Sequence, residues 1–232
     1  MNTSEQKVSS VEINCKCEAQ AKTAILNFLD KLGIKKIVYV DDRCSINELK
    51  EAFVGKLKAH YNNKPCELDF LNWELPEPVF EKEITKLWDD KSDEEKRELY
   101  LKILRFENNL EELSNSVAPL RLKTILKDKI ELLAPSEWIV QKSSIINELS
   151  NNTKILFLFD IEFKHAPLPD NRDGRDLAFE LLQDSTVCKF LYCGIFSHLF
   201  NINDEYDRRC EYCKTHHLDK EKFYTISKKR FQ

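Results

Sequence analysis

Two apolar stretches of this chain stop abruptly on aspartate: IKKIVYVDDRCS at residues 34–45 and KILFLFDIEF at residues 154–163. Neither run alternates with polar residues, which is typical of strands buried on both faces in a parallel sheet. Carboxylates that directly follow such strands lie at the edge of the sheet where ligands gather in open α/β folds. If the two strands are neighbours, Asp41, Asp42 and Asp160 meet at that edge.

Strands and helices alternate along the rest of the chain. Apolar runs predict strands at 37–40, 130–134, 153–159, 188–195 and 223–227. Helical spacing and capping residues predict helices at 17–31, 45–61, 136–149, 175–184 and 204–217, with two or more charged amphipathic helices across 79–129. This alternation implies an α/β fold with right-handed crossovers.

The bulk composition is that of a globular protein with a real core. The chain has 232 residues, of which 42% are hydrophobic and 33% charged, and its net charge is −4. This charge gives no indication of nucleic-acid binding. No apolar stretch reaches the ~20 residues of a membrane helix, and the first residues lack the apolar core of a signal peptide. We therefore expect a cytoplasmic protein whose eight cysteines are thiols or metal ligands.

The three strand-end aspartates have two explanations. Three carboxylates without histidine suit Mg²⁺, which takes a few hard oxygen ligands and keeps several waters. Alternatively, each aspartate merely caps the helix or turn that follows its strand. The composition of the cluster alone leaves both open.

The order of the downstream segments resembles the receiver domain of two-component response regulators, a bacterial signalling family. A turn with proline leads from Asp160 into RDGRDLAFELL at 172–182, then KFLYCGIF at 189–196, and finally FYTISKK at 223–229. The resemblance implies a parallel, five-stranded, flavodoxin-like α/β sheet. The receiver-like domain would cover 17–232, behind a flexible N-terminus at 1–16. Residues 62–129 would be a large helical insertion between the first helix and the second strand.

The resemblance also implies the roles of particular side chains. Asp160 would be the phosphoacceptor, taking a phosphoryl group from a histidine kinase or a phosphotransfer protein, and Lys228 or Lys229 would be the lysine that ends the fifth strand. Mg²⁺ would be held by Asp41, Asp42, Asp160 and the backbone carbonyl of Glu162. These residue types suit the chemistry, because phosphoryl transfer mainly needs alignment and neutralised charge.

The fourth strand departs from the family pattern. The position that is threonine or serine in the family falls on Cys193, and a thiol is a weaker hydrogen-bond donor than a hydroxyl. Tyr192 is another register, and Ser197 could substitute from the following loop. Cys193 could also simply pack as a small buried hydrophobe.

Two larger segments leave alternatives open. The helical insertion at 62–129 could be a docking or homodimerisation surface, or it could cover the sheet. A receiver needs a helix after its fifth strand, and here that helix would lie beyond Gln232 in a longer protein, or the helix at 17–31 would take its place.

A cysteine–histidine cluster stands near the end of the chain. The sequence CEYCKTHH places four potential zinc ligands together, and a second pair could come from the N-terminus: Cys210, Cys213, His216 and His217, with Cys15 and Cys17. The alternative is that the thiols pack against the sheet and the histidines end a helix.

The leading functional hypothesis is a receiver-like signalling domain that binds Mg²⁺ and is phosphorylated on Asp160, rather than a turnover enzyme. One alternative is a phosphorylation-independent pseudo-receiver that acts as a protein-interaction module. Another is a Mg²⁺-dependent phosphohydrolase with Asp160 as nucleophile and Glu162 as the second acid, which leaves the Asp41-Asp42 pair unexplained.

Overall fold

A computed structural model of the chain describes residues 22–150, 152–163 and 168–231. The predicted flexible N-terminus at 1–16, Cys15 and Cys17, and the start of the first predicted helix lie outside these residues. None of the described helices is both long and apolar enough to cross a membrane.

The predicted parallel sheet is confirmed. It has five parallel strands in the order β2-β1-β3-β4-β5. The strands are β1 (Ile34–Val40), β2 (Ile130–Leu133), β3 (Lys154–Phe159), β4 (Leu191–Ser197) and β5 (Phe223–Ser227). This is the flavodoxin-like strand order, in which the chain reverses direction across the sheet between β1 and β3.

Helices cover both faces of this sheet and extend beyond it. The described part of α1 is 22–32. The others are α2 (Ile46–His60), α3 (Glu77–Asp89), α4 (Asp93–Phe106), α5 (Leu110–Leu126), α6 (Pro135–Asn147), α7 (Gly174–Gln183) and α8 (Glu205–His216).

The two faces of the sheet have separate apolar cores, which explains why the strands show no polar alternation. One face packs against α6, α7 and α8 through residues such as Trp138, Phe157 and Phe179. The other face packs against α1 and α5, with Leu29 and Leu122 among its buried side chains. The sequence left two candidates for the helix that covers this second face, a helix beyond Gln232 or the helix at 17–31. In the structure the described part of the latter, α1, packs there.

The helical insertion has a core of its own, and that core includes α2. Side chains from α2, α3 and α4 form one buried cluster, in which the rings of Phe53 and Trp88 lie 4.7 Å apart. The next helix, α5, packs on both sides: Val117 and Leu120 contact this cluster, whereas Ala118 and Leu122 pack on the sheet, close to β2 and the short turn after β5. The helix that follows β1 in sequence thus joins the insertion, and the last helix of the insertion takes a place on the sheet.

Candidate functional site

The strand-end acids converge as the sequence predicts. Val40 and Phe159 are paired across β1 and β3, so the residues that follow them leave the sheet at the same level. The backbone N–H of Asp160 donates to the carbonyl of Val40 at 3.0 Å, which keeps this register beyond the strand ends. Asp41, Asp42 and Asp160 are all fully buried.

The lysine after β5 completes the group. The Lys228 ammonium lies 2.7 Å from Asp41 Oδ2 and 2.7 Å from Asp160 Oδ2, and the side chain is 0% exposed. Lys229 instead reaches out to the Asn201 side chain at the surface. Because β5 ends at Ser227, the strand-end lysine is Lys228.

Sequence reasoning missed the second cation of the site, Arg43. Its Nη1 lies 3.2 Å from Asp42 Oδ1, 3.7 Å from Asp160 Oδ2 and 3.9 Å from Asp41 Oδ1. We call Asp41, Asp42, Arg43, Asp160 and Lys228 the charge cluster. The sequence shows Arg43 directly after two aspartates, which could have indicated a cation at the site. The orientation of its side chain towards the acids, however, depends on a partner that is distant in sequence.

That partner is Glu112 in the first turn of α5. Its two carboxylate oxygens accept from Arg43 Nε at 3.0 Å and from Nη2 at 2.9 Å. Beside it, Glu111 Oε1 lies 3.5 Å from Nε2 of His198, which directly follows β4. The start of α5 therefore contacts the charge cluster from one side and the loop after β4 from the other.

Protein donors also bind the remaining oxygens of two carboxylates. Asp41 Oδ1 accepts from the backbone N–H of Arg43 at 2.8 Å, and the Tyr39 hydroxyl donates to Asp41 Oδ2. Asp160 Oδ1 accepts from the backbone N–H of Ile161 at 2.8 Å. The acids are therefore enclosed and hydrogen-bonded within the protein, and the Asp160 side chain is only 1% exposed.

The charge cluster shifts the pKa values of Asp41 and Asp160 in opposite directions. Burial alone would raise the pKa of Asp41, but the ammonium of Lys228 and the guanidinium of Arg43 outweigh burial and hold it well below its usual range. For Asp160, burial and the neighbouring charge of Asp41 win over Lys228, so the pKa is raised. Burial would lower the pKa of Lys228, but its two carboxylate partners raise it.

These opposite shifts predict opposite effects of removing each charge. A lowered pKa means that ionised Asp41 stabilises the fold, so we expect Asp41→Asn to lower the free energy of unfolding by roughly 2–3 kcal/mol. A raised pKa means that ionised Asp160 costs stability above its unfolded pKa, so Asp160→Asn should be neutral or stabilising. Urea unfolding at neutral pH measures both.

The pH dependence of stability is the control for the effect of Asp41→Asn. The contribution of Asp41 is complete above the unfolded-state pKa of about 3.9 and is lost as the pH falls through it towards the lower folded value. The difference between wild type and Asp41→Asn should therefore shrink in acid. Equal losses for Asp41→Asn and Asp160→Asn at neutral pH would contradict the assignment.

Gly174, the first residue of α7, lets the chain close over Asp160. Its backbone N–H donates to the carbonyl of Ile161 at 3.3 Å. A methyl group at Gly174 would lie 1.7 Å from the carbonyl oxygen of Asp160. Asp173 caps α7 by accepting from the backbone N–H groups of Arg175 and Asp176. The glycine in RDGRD is thus required for the close approach of helix and strand end.

In this structure the strand-end carboxylates are bound by protein groups. Asp41 and Asp160 accept from Lys228 and from backbone N–H groups, and Asp42 accepts from Arg43. Within the described residues no group of three potential ligands is arranged to hold a metal ion, and Mg²⁺ binding by these acids stays a prediction. The role of the Glu162 carbonyl beside a metal stays a prediction, because no metal position follows from this geometry.

Cys193 is not part of the site, contrary to the prediction. It lies in the middle of β4, between Phe157 of β3 and Phe223 of β5, and is fully buried in the apolar core. The apolar run continues past it, so β4 ends four residues later than that assignment requires. The strand-end residue is the alternative, Ser197, which is buried and accepts a hydrogen bond from the backbone N–H of Leu199 at 3.4 Å.

The cysteine–histidine cluster on α8 has a packing role in this structure. Cys213 is buried in the core beneath the helix, and the His216 ring stacks on Phe179 with centroids 4.1 Å apart. His217 ends the helix in the left-handed region, at φ 55°. In the described part of the chain these residues form no group arranged for a metal.

The charge cluster is thus the site that the fold builds, and the sequence located it through Asp41, Asp42, Asp160 and Lys228. Comparisons with protein-family models, with curated proteins and with solved structures gave no match.

Proposed function

We propose that this chain is a receiver-like signalling domain that acts as a protein-interaction module and does not accept a phosphoryl group. The observation that carries this proposal is the enclosure of Asp160. Its side chain is 1% exposed, and its oxygens accept from the Lys228 ammonium and the Ile161 backbone N–H.

A phosphoacceptor needs a carboxylate oxygen that the phosphodonor can reach. The attacking oxygen must lie in line with the phosphorus of the donor, and the charge that develops must be neutralised by cations around the transferred group. Here no donor can approach the Asp160 oxygens without displacing neighbouring protein groups. Both cations of the charge cluster are already paired with its own carboxylates.

The charge cluster instead has a structural role. Lys228 joins the ends of β1, β3 and β5 by binding Asp41 and Asp160 together. Arg43 extends this connection to the helical insertion through Glu112. Together these contacts fix the strand ends relative to one another and to the helical insertion, as expected of a rigid interaction module.

Exposed apolar side chains near the charge cluster support an interaction role. Leu110 at the start of α5 is 65% exposed, and Leu199, directly after His198, is 50% exposed. Tyr206, in the first turn of α8, which follows the loop after β4, is 70% exposed. The contact between His198 and Glu111 brings the first two segments together. Aromatic and apolar side chains of this kind are favoured at the centres of protein interfaces.

A second candidate is the phosphoacceptor itself, and the convergence of the strand-end acids with Lys228 favours it. Asp160 would accept the phosphoryl group from a histidine kinase or a phosphotransfer protein, with Lys228 as its cationic partner. This function requires a second conformation in which Arg43 moves away and the Asp160 oxygens are open to the phosphodonor.

Labelling with acetyl phosphate distinguishes the two candidates. Wild type and Asp160→Asn are incubated with acetyl phosphate and Mg²⁺ and compared by intact mass, with an established receiver domain labelled in parallel as the positive control. We expect no adduct on wild type that depends on Asp160. A phosphoryl adduct that is present on wild type and lost in Asp160→Asn would overturn the proposal in favour of the phosphoacceptor.

A further inference from the structure

We propose that Arg43 is a built-in substitute for a divalent cation, held in place by the helical insertion, and that its removal turns the charge cluster into a Mg²⁺ site. This inference concerns the same site and rests on the closed arrangement that carries the proposed function.

The guanidinium of Arg43 lies among the three strand-end acids. Nη1 of Arg43 lies within 4 Å of carboxylate oxygens from Asp41, Asp42 and Asp160. One cationic nitrogen thus contacts the acids that follow two neighbouring strands. Carboxylates placed in this way suit a divalent cation, but the distances are those of ion pairs, and the charge is supplied by the protein.

The buried carboxylates of the charge cluster need the positive charge of Arg43. Lys228 lies between Asp41 and Asp160 and brings one positive charge to two buried carboxylates. Asp42 is also fully buried, and its carboxylate receives Arg43 Nη1 at 3.2 Å. Buried carboxylates need compensating charge, because their removal from water costs several kcal/mol each. A guanidinium remains protonated at any physiological pH, so it supplies that charge permanently.

Residues of the helical insertion hold Arg43 in place. Glu112 binds two nitrogens of the guanidinium on the side away from the acids. The backbone N–H of Glu112 donates to the Asn109 side chain at 3.1 Å, which fixes the first turn of α5. From α4, Arg97 donates to the backbone carbonyls of Arg43 and Cys44 at 3.3 and 3.1 Å. The helical insertion therefore fixes both the backbone and the side chain of Arg43.

These contacts assign a role to the insertion. Arginine and a metal ion would compete for the same carboxylates, and the two-point contact with Glu112 is pre-organised in favour of arginine. Without the guanidinium, the three buried carboxylates would share the single positive charge of Lys228, and this deficit favours the entry of a divalent cation. The insertion therefore keeps a positive charge at the three carboxylates whatever the Mg²⁺ concentration.

The experiment is a Mg²⁺ titration without any phosphodonor. Isothermal calorimetry and thermal unfolding are recorded with MgCl₂ against NaCl of matched ionic strength, for wild type, Arg43→Ala and Arg43→Gln. Arg43→Gln keeps most of the side-chain volume, so it tests the proposal even if Arg43→Ala folds poorly. Arg172→Ala is the matched control, because Arg172 pairs with Asp170 and Glu180 at the surface.

We expect wild type and Arg172→Ala to show no Mg²⁺-specific stabilisation. At least one Arg43 variant should bind Mg²⁺ roughly tenfold tighter or more than wild type does, and its unfolding midpoint should rise with Mg²⁺ concentration by mass action. Equal Mg²⁺ binding by wild type and the variants would overturn the inference, and so would no binding by either variant. The proposed function fails on a different result, an Asp160-dependent adduct on wild type.

Discussion

Replacing Lys228 by methionine should lower the free energy of unfolding by about 3–5 kcal/mol, because it leaves a buried ion pair without its cation. Methionine fills much of the space of the lysine stem but cannot donate to Asp41 or Asp160, which each lie 2.7 Å from the ammonium. Both carboxylates would then be buried with like charge and less compensation. Urea unfolding followed by tryptophan fluorescence measures the loss.

Two variants show whether charge is the cause. Lys229→Met removes a neighbouring lysine at the surface and should change stability by less than about 0.5 kcal/mol. The double variant Lys228→Met with Asp160→Asn also removes one of the two buried carboxylates that Lys228→Met leaves without their lysine. It should therefore recover part of the lost free energy of unfolding, which a double-mutant cycle measures. A loss below about 1 kcal/mol for Lys228→Met alone would mean that the ammonium does not hold the strand ends together.

The second large effect is expected at Gly174, where substitution by alanine should cost more than about 3 kcal/mol. The added methyl group would lie 1.7 Å from the Asp160 carbonyl oxygen, 2.8 Å from its carbon and 2.9 Å from Phe159 Cβ. The obstacle is mostly backbone, so α7 or the end of β3 has to move. Thermal and urea unfolding of the purified variant measure the cost.

Gly55 is the matched control for this substitution. It lies inside α2, and among the described residues no heavy atom beyond its own helix turn and chain neighbours would be within 4 Å of an added methyl group. Gly55→Ala should therefore raise stability by roughly 0.5–1 kcal/mol, since alanine is the better helix former. Similar effects at both positions would contradict the close approach of α7 to Asp160.

Much of the fold was predictable because its strands are short apolar runs with clear ends. The runs before Asp41 and Asp160 stop on charged residues, so their ends could be located to the residue. FYTISKK likewise ends its apolar part at Ser227, which left only Lys228 and Lys229 as candidates. Cys193 was assigned wrongly because LYCGIFS stays apolar or small throughout, and such a run does not mark where it leaves the sheet.

The closure of the site depends on tertiary contacts that no local pattern carries. Arg43 and Glu112 are 69 residues apart, and each is an ordinary charged residue on an otherwise polar segment. The sequence placed the insertion at 62–129, so the helix at 45–61 was counted outside it. Its buried side chains, including Phe53, face the insertion instead, a choice that only packing against α3 and α4 decides.

The separate core of α2, α3 and α4 has a consequence for how the chain reaches this fold. The neighbouring strands β1 and β2 are joined through the whole insertion, so their pairing closes a long loop, and that closure costs conformational entropy. Contacts within the helical core are much more local in sequence and form faster. Early formation of this core would bring the ends of β1 and β2 closer together and would thereby lower the entropic cost of pairing them.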